Sequence, residues 1–171
     1  VYTGIVRTAV MAVVHNVVDN LHTVGVMAEY FATMADVYRL TGELCENHDQ
    51  TPTADGADKS IEASARRLSR MIGADFSSAE LPRWKDVATH IRHAQQVRIQ
   101  ESCALHLARH SSRQALPLIG AGIGRFLIKD IATTLNCPYI DFSTLFESDN
   151  TEPFFSPADC APAVAVAMLL N

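Results

Sequence analysis

Ala115-Leu116-Pro117-Leu118-Ile119-Gly120-Ala121-Gly122-Ile123-Gly124-Arg125 is the stretch on which the fold turns. It reads as a short apolar strand, a glycine-rich turn and the start of a helix predicted over 125–135. Asn136-Cys137-Pro138 then bends the chain, and 139–142 forms a second strand. Ser156-Pro157 opens a last helix running to Leu170, with Ser at the cap, Pro at the first helical position and Asp159 in the first turn. Strand, glycine turn, helix, strand and helix imply two parallel strands joined by a right-handed crossover, and hence an α/β class.

The turn at 120–124 is the first candidate for chemistry. A strand that ends in glycines and feeds a helix aims backbone N–H groups and the positive helix end at one point. That suits a phosphate, and glycine lets the anion come close to the backbone. Ligands of open parallel sheets also sit beyond the carboxyl ends of the strands. Gly120, Ala121, Gly122 and Gly124 are therefore candidate ligand-binding residues. The same glycines would equally allow tight strand–helix packing. A dinucleotide site is disfavoured, because no N-terminal βαβ unit precedes the turn and Asp141 is a poor match for the acidic residue expected about twenty positions on. Asp159 serves either a ligand or the helix dipole.

Working outward, 5–14 is rich in Val, Thr and Ala and predicts a strand pair, followed by an irregular polar stretch from His15 to Thr23. Val26, Met27, Tyr30, Phe31, Met34, Val37 and Tyr38 recur at steps of three and four, which predicts a helix over 26–40 stopped at Thr41-Gly42. A loop over 46–57 leads to a helix capped by Asp58 or Ser60, reaching Ile72 and stopped by Gly73. A long helix is predicted over 84–110. The expected divisions are a strand-rich 1–25, a helical 26–112 and a βαβα unit over 113–171.

Composition bounds the function. With 48% hydrophobic and 19% charged residues in 171, the chain is globular. A formal charge of −5 and the lack of a basic stripe argue against nucleic acid as a partner. No apolar run reaches the length of a membrane span, and no secretory signal is seen. The expected location is the cytoplasm and the expected partner a small-molecule substrate, with a homodimer as an allowed assembly. Cys45, Cys103, Cys137 and Cys160 lack framework spacing and are expected to be reduced, mostly buried thiols. The chain opens on Val1-Tyr2-Thr3-Gly4 without Met, the start expected of a chain lacking an N-terminal half, with removal of Met or of a tag as the alternative.

Other candidates are weaker in pattern. Glu29 and Asp36, seven apart on one predicted helix face, and Asp36 with Arg39 at i, i+3, read either as a site or as a solvated face with an ion pair. Asp55, Asp58 and Lys59 around Gly56 form a polar loop suited to phosphate or Mg²⁺. His90 with His93, and His106 with His110, lie at chelating steps, yet no Cys or carboxylate completes a metal set. No nucleophile-elbow or Cys–His motif occurs.

Several runs taken together resemble one family. Val1-Tyr2-Thr3-Gly4-Ile5-Val6-Arg7-Thr8, Met27-Ala28-Glu29-Tyr30-Phe31-Ala32-Thr33-Met34-Ala35-Asp36-Val37-Tyr38-Arg39-Leu40-Thr41-Gly42, 57–73, the glycine turn and Ala158-Asp159-Cys160-Ala161-Pro162-Ala163-Val164-Ala165 resemble the hydantoinase A/oxoprolinase-like proteins of tetrahydromethanopterin-linked one-carbon metabolism. The resemblance implies the second lobe of an actin-like ATPase (ribonuclease H-like) fold with a helical insertion, its glycine turn contacting adenosine. It implies that the family's phosphate loops precede Val1. It further implies a transferase of tetrahydromethanopterin- or methanofuran-type cofactor biosynthesis, coupling an aminomethylfuran diphosphate to a tyramine-derived phenol. Mg²⁺ and ATP or a diphosphate-bearing substrate are the implied cofactors. Arg7, just after Tyr2 and Thr3, is then the diphosphate-binding cation, Glu29, Asp36 and Arg39 line the substrate side, and Lys59 is a second cation. The alternatives are an ATP-dependent kinase or hydantoinase-like hydrolase, and a non-catalytic nucleotide-binding subunit.

Overall fold

The computed structural model describes residues 1–109, 116–146 and 155–169, so Ala115, His110 and Leu170 of the readings above lie outside the described residues. The chain is mixed α/β and divides into two compact units, 1–99 and 100–171, with the division falling inside the long helix.

In the first unit the segment predicted as a strand pair is a run of bends closed by a single 3₁₀ turn, Val10–Ala12. Its backbone groups are committed elsewhere. Thr8 and Val6 carbonyls accept from the Met34 and Ala35 N–H groups at 2.8 and 3.2 Å, and the Val10 N–H donates to the Ala32 carbonyl at 3.1 Å. These bonds satisfy the first free donors of the helix that follows. The strands fall instead in the stretch read as irregular. β1 (Asn16–Asp19) pairs antiparallel with β2 (His22–Gly25), Val17 opposite Val24. Asn20 and Leu21 make the two-residue turn, both left-handed at φ +46° and +68°. Asn is at home in such turns, whereas Leu lacks the freedom of the glycine that usually follows it.

Helix α1 (Met34–Thr41) starts eight residues later than the periodicity suggests. The Thr33 N–H donates to Asp36 Oδ2 at 3.0 Å, half of a capping box that fixes the start there. Glu29 is therefore outside the helix, exposed, and does not share a face with Asp36. Gly42, at φ +79°, ends α1 as expected. Helix α2 (Ile61–Arg70) is capped by Ser60, whose Oγ accepts from the Ala63 N–H at 3.1 Å. The long helix α3 (Leu81–Ala108) buries Trp84, Val87, Ala88, Ile91 and Gln95, a stripe of helical period. Tyr38 Oη donates to Gln95 Oε1 at 2.5 Å, and Gln95 Nε2 in turn holds Thr3 and Gly4.

The second unit matches its expected order. β3 (Leu118–Gly120) and β4 (Tyr139–Asp141) pair in parallel, Gly120 level with Asp141, with α4 (Arg125–Thr134) as the crossover. Leu127, Ile131 and Ala132 are the buried side of α4. The last helix, α5 (Ala161–Met168), starts at Ala161 rather than after Ser156. Asp159 thus belongs to the turn before it. The cysteines are free, but Cys45 and Cys160 are exposed and Cys103 and Cys137 half-buried, which corrects the expectation of buried thiols.

Replacing Leu21 with Gly removes the left-handed strain of the hairpin turn, so Leu21→Gly should stabilise the protein by about 1 kcal/mol, read from the urea midpoint.

Candidate functional site

Asp36 and Arg39, weighed as a solvated pair, are buried at 2% and 4% exposure, and Arg67 and Asp49 join them at 0% and 5%. Asp36 Oδ1 accepts from Arg67 Nε at 2.8 Å and from Ser64 Oγ at 2.9 Å. Arg39 grips Glu46 through Nε and Nη2 at 2.7 and 2.9 Å and Asp49 through Nη2 at 2.8 Å. Arg67 Nη1 reaches Asp55 at 3.0 Å, and Lys59 Nζ donates to the Asp49 carbonyl at 2.5 Å. Burial alone would depress the Arg39 pKa, but hydrogen bonds to Glu46 and Asp49 outweigh it and leave it raised. Burial likewise pushes Asp49 up, and Arg39 and Thr51 pull it below the ordinary carboxylate range. Asp36 and Lys59 are both engaged in this network, which ties α1, α2 and the intervening loop together. Arg7, by contrast, is exposed and has no hydrogen-bond or ion-pair partner among the described residues.

In the second unit the glycine turn splits into parts with different duties. Gly120 is buried, and a Cβ there would lie 2.7 and 2.9 Å from the Cε2 and Cζ of Tyr139 on the neighbouring strand. At this position the glycine makes room for packing. Gly122 takes φ +81°, and its N–H donates to the Ala158 carbonyl at 2.6 Å. Ala121 is exposed, and Gly124 is half-exposed as the residue before α4. The turn is thus open on one side and latched by the segment before α5 on the other.

Arg125 is the centre of that latch. Its Nε donates to Asp141 Oδ2 at 3.1 Å, its Nη1 to the Gly122 carbonyl at 3.2 Å and to Asp159, and its Nη2 to Ser156 Oγ at 3.2 Å. Asp159 also accepts from the Ser156 N–H at 2.8 Å. An arginine at the first position of a helix opposes the positive end of the dipole. That mismatch was the available sign in the sequence that acids must converge there, and the sequence reading gave Arg125 no role. Burial raises the Asp141 and Asp159 pKa values, but hydrogen bonds from Ser143 and Ser156 together with Arg125 leave both carboxyls below their usual range. The cluster lies at the carboxyl ends of two parallel strands, where open sheets place their ligands.

A pocket of about 330 Å³ lies elsewhere, in the first unit, between the hairpin tip and the start of α3. Among the described residues no group of three His, Cys, Asp or Glu side chains converges as a metal set. No helix among them is long and apolar enough to cross a membrane.

No family model matches the chain. It is similar to (4-{4-[2-(gamma-L-glutamylamino)ethyl]phenoxymethyl}furan-2-yl)methanamine synthase of Methanocaldococcus jannaschii, with 25% identity over 136 residues. The match takes in 80% of this chain and 40% of the synthase, so the chain spans about two-fifths of the length of the curated relative.

Two outcomes test these geometries. Arg67→Met takes the nearest cation from the buried Asp36 carboxylate, leaving Arg39 at 3.7 Å, and should cost about 3 kcal/mol in urea denaturation. Asp159, with a folded pKa below the ordinary value, stabilises the protein above the unfolded carboxylate range and loses that contribution as pH falls through the folded value. The deficit of Asp159→Asn, about 1–3 kcal/mol at neutral pH, should therefore shrink as the pH is lowered below about 4.

Proposed function

We propose that the chain belongs to an enzyme of methanofuran-type one-carbon cofactor biosynthesis, a transferase acting on a phosphate- or diphosphate-bearing small molecule. The observation that carries the reading is the similarity, along four-fifths of the chain, to a synthase whose named product joins a furan-methanamine to a phenol through an ether. Making such an ether requires a furfuryl carbon with a good leaving group, and a diphosphate supplies one. The actin-like ATPase architecture is part of the same proposal; the crossover from β3 through the glycine turn to α4 is compatible with it.

In this reading the chemistry is electrostatic. Cations and helix ends stabilise the departing diphosphate as the carbon–oxygen bond breaks. Arg7 is the cation we assign to that task, because it is exposed and its planar fork matches phosphate oxygens. Ala121, Gly122 and Gly124 remain the proposed nucleotide- or phosphate-facing turn, with Ala121 on its open side and Asp159 holding the latch, while Gly120 serves it by leaving room for Tyr139. Asp36 supports the scaffold through Arg67, Lys59 closes the loop onto Asp49, and Glu29 is exposed on the adjoining bend. Mg²⁺ would accompany the substrate's phosphates, which commonly supply part of its coordination.

The test is pyrophosphate release on mixing the protein with an aminomethylfuran diphosphate and a tyramine-type phenol. Arg7→Ala should lower turnover about 100-fold while leaving the thermal midpoint unchanged. Turnover unaffected by Arg7→Ala removes that residue from the mechanism. ADP release from ATP without ether formation replaces the transferase with a kinase or hydrolase.

A further inference from the structure

The pocket of about 330 Å³ in the first unit falls at the small end of ligand-site volumes, which run from about 300 Å³ upward. Its walls combine Val18 and Leu21 of the hairpin with Val87 of α3, its charged groups are Asp19, Arg83 and Asp86, and Asn20 of the hairpin turn adds a neutral polar side chain. The state of those charges decides what it can hold. Arg83 donates from Nε and Nη2 to both oxygens of Asp19 at 2.7 Å and from Nη1 to Glu80 at 2.7 Å. Its guanidinium also lies over the Trp84 ring, 4.6 Å from the centroid. Arg83, the cation that lines the pocket among the described residues, is thus offset by two carboxylates and stacked on an indole, and it offers little to an anion. Asp86 is different. It is exposed and has no hydrogen-bond or ion-pair partner among the described residues. Lys85 sits about 100° round the helix from it.

We propose that this pocket binds a small organic ammonium ion with an apolar body, its cation on Asp86 and its hydrocarbon against Val18, Leu21 and Val87. An uncompensated carboxylate beside apolar wall favours a ligand that brings both a positive charge and surface to bury. Phosphates and carboxylates are repelled by the same charge. Leu21 holds its side chain at the mouth of the pocket from a left-handed backbone position, almost fully exposed, where a ligand would cover it. The assignment rests on this pocket alone and does not require the reaction proposed above.

Benzylamine and benzyl alcohol are matched probes for the 171-residue chain, followed by titration calorimetry and by backbone amide shifts. Benzylamine should bind and move the amides of 18–21 and 83–87, with benzyl alcohol about tenfold weaker. Asp86→Asn should weaken benzylamine about tenfold without changing the thermal midpoint, and Asp86→Glu should restore most of the affinity. Leu21→Ser should weaken benzylamine but leave the charge preference in place. Equal affinity for amine and alcohol, an unchanged affinity in Asp86→Asn, or shifts confined to other residues each overturn the proposal. Failure of pyrophosphate release with benzylamine binding intact rejects the transferase and leaves the pocket standing.

Discussion

Two guanidinium groups, those of Arg39 and Arg67, are buried against Asp36 and Asp49, and the first unit is arranged around that fact. Each buried ion carries a desolvation penalty of several kcal/mol that only close, well-directed partners offset. The partners must therefore arrive together. Asp36 can face Arg67 only if α1 begins at Met34, and Asp49 can reach Arg39 only if the loop after α1 folds back over it. Ser64, donating to Asp36 and accepting from Arg39, fills the gap between the helices. The apolar stripe of α3 buries Trp84 and Ile91 in the same unit, and Gln95 on that stripe accepts from Tyr38 of α1. Registry between α1 and α2 follows from charge geometry, whereas the bulk of the burial comes from the aliphatic and aromatic side chains.

The second unit obeys a more local logic. Its strand, turn, helix and strand follow one another within about thirty residues, the usual span of a crossover unit. One arginine gathers the turn carbonyl, the end of β4 and the segment before α5. The polar groups at the strand ends are consequently paired with one another, and any ligand there meets a site already internally neutralised in part.

What could be read in the sequence tracks the range of the forces involved. The caps at Ser60 and Gly42, the long helix and the parallel βαβ order depend on neighbours in sequence, and each was legible. The early start assigned to α1 came from apolar periodicity over 26–32, where the structure has a largely exposed run of bends instead. The hairpin was hidden because Asn20-Leu21 lacks the glycine that marks such turns. The ion network was hidden because Asp36 finds Arg67 thirty-one positions away, and nothing in a single sequence couples the two. At the candidate site the glycines were visible, but not Arg125, whose meaning depends on acids contributed from two later segments.

The absence of a methyl group at Gly120 has a consequence for how this chain can vary. The space is filled by the phenol of Tyr139, which also places its hydroxyl 3.2 Å from Asp141 Oδ2. Positions 120 and 139 therefore form a lock-and-step pair across the two strands. Alanine at 120 would drive the ring away from Asp141, whereas a slimmer residue at 139 would tolerate it. Among variants of this protein the two sites should drift jointly, while Gly122, constrained by handedness rather than volume, is free to become Asn on its own.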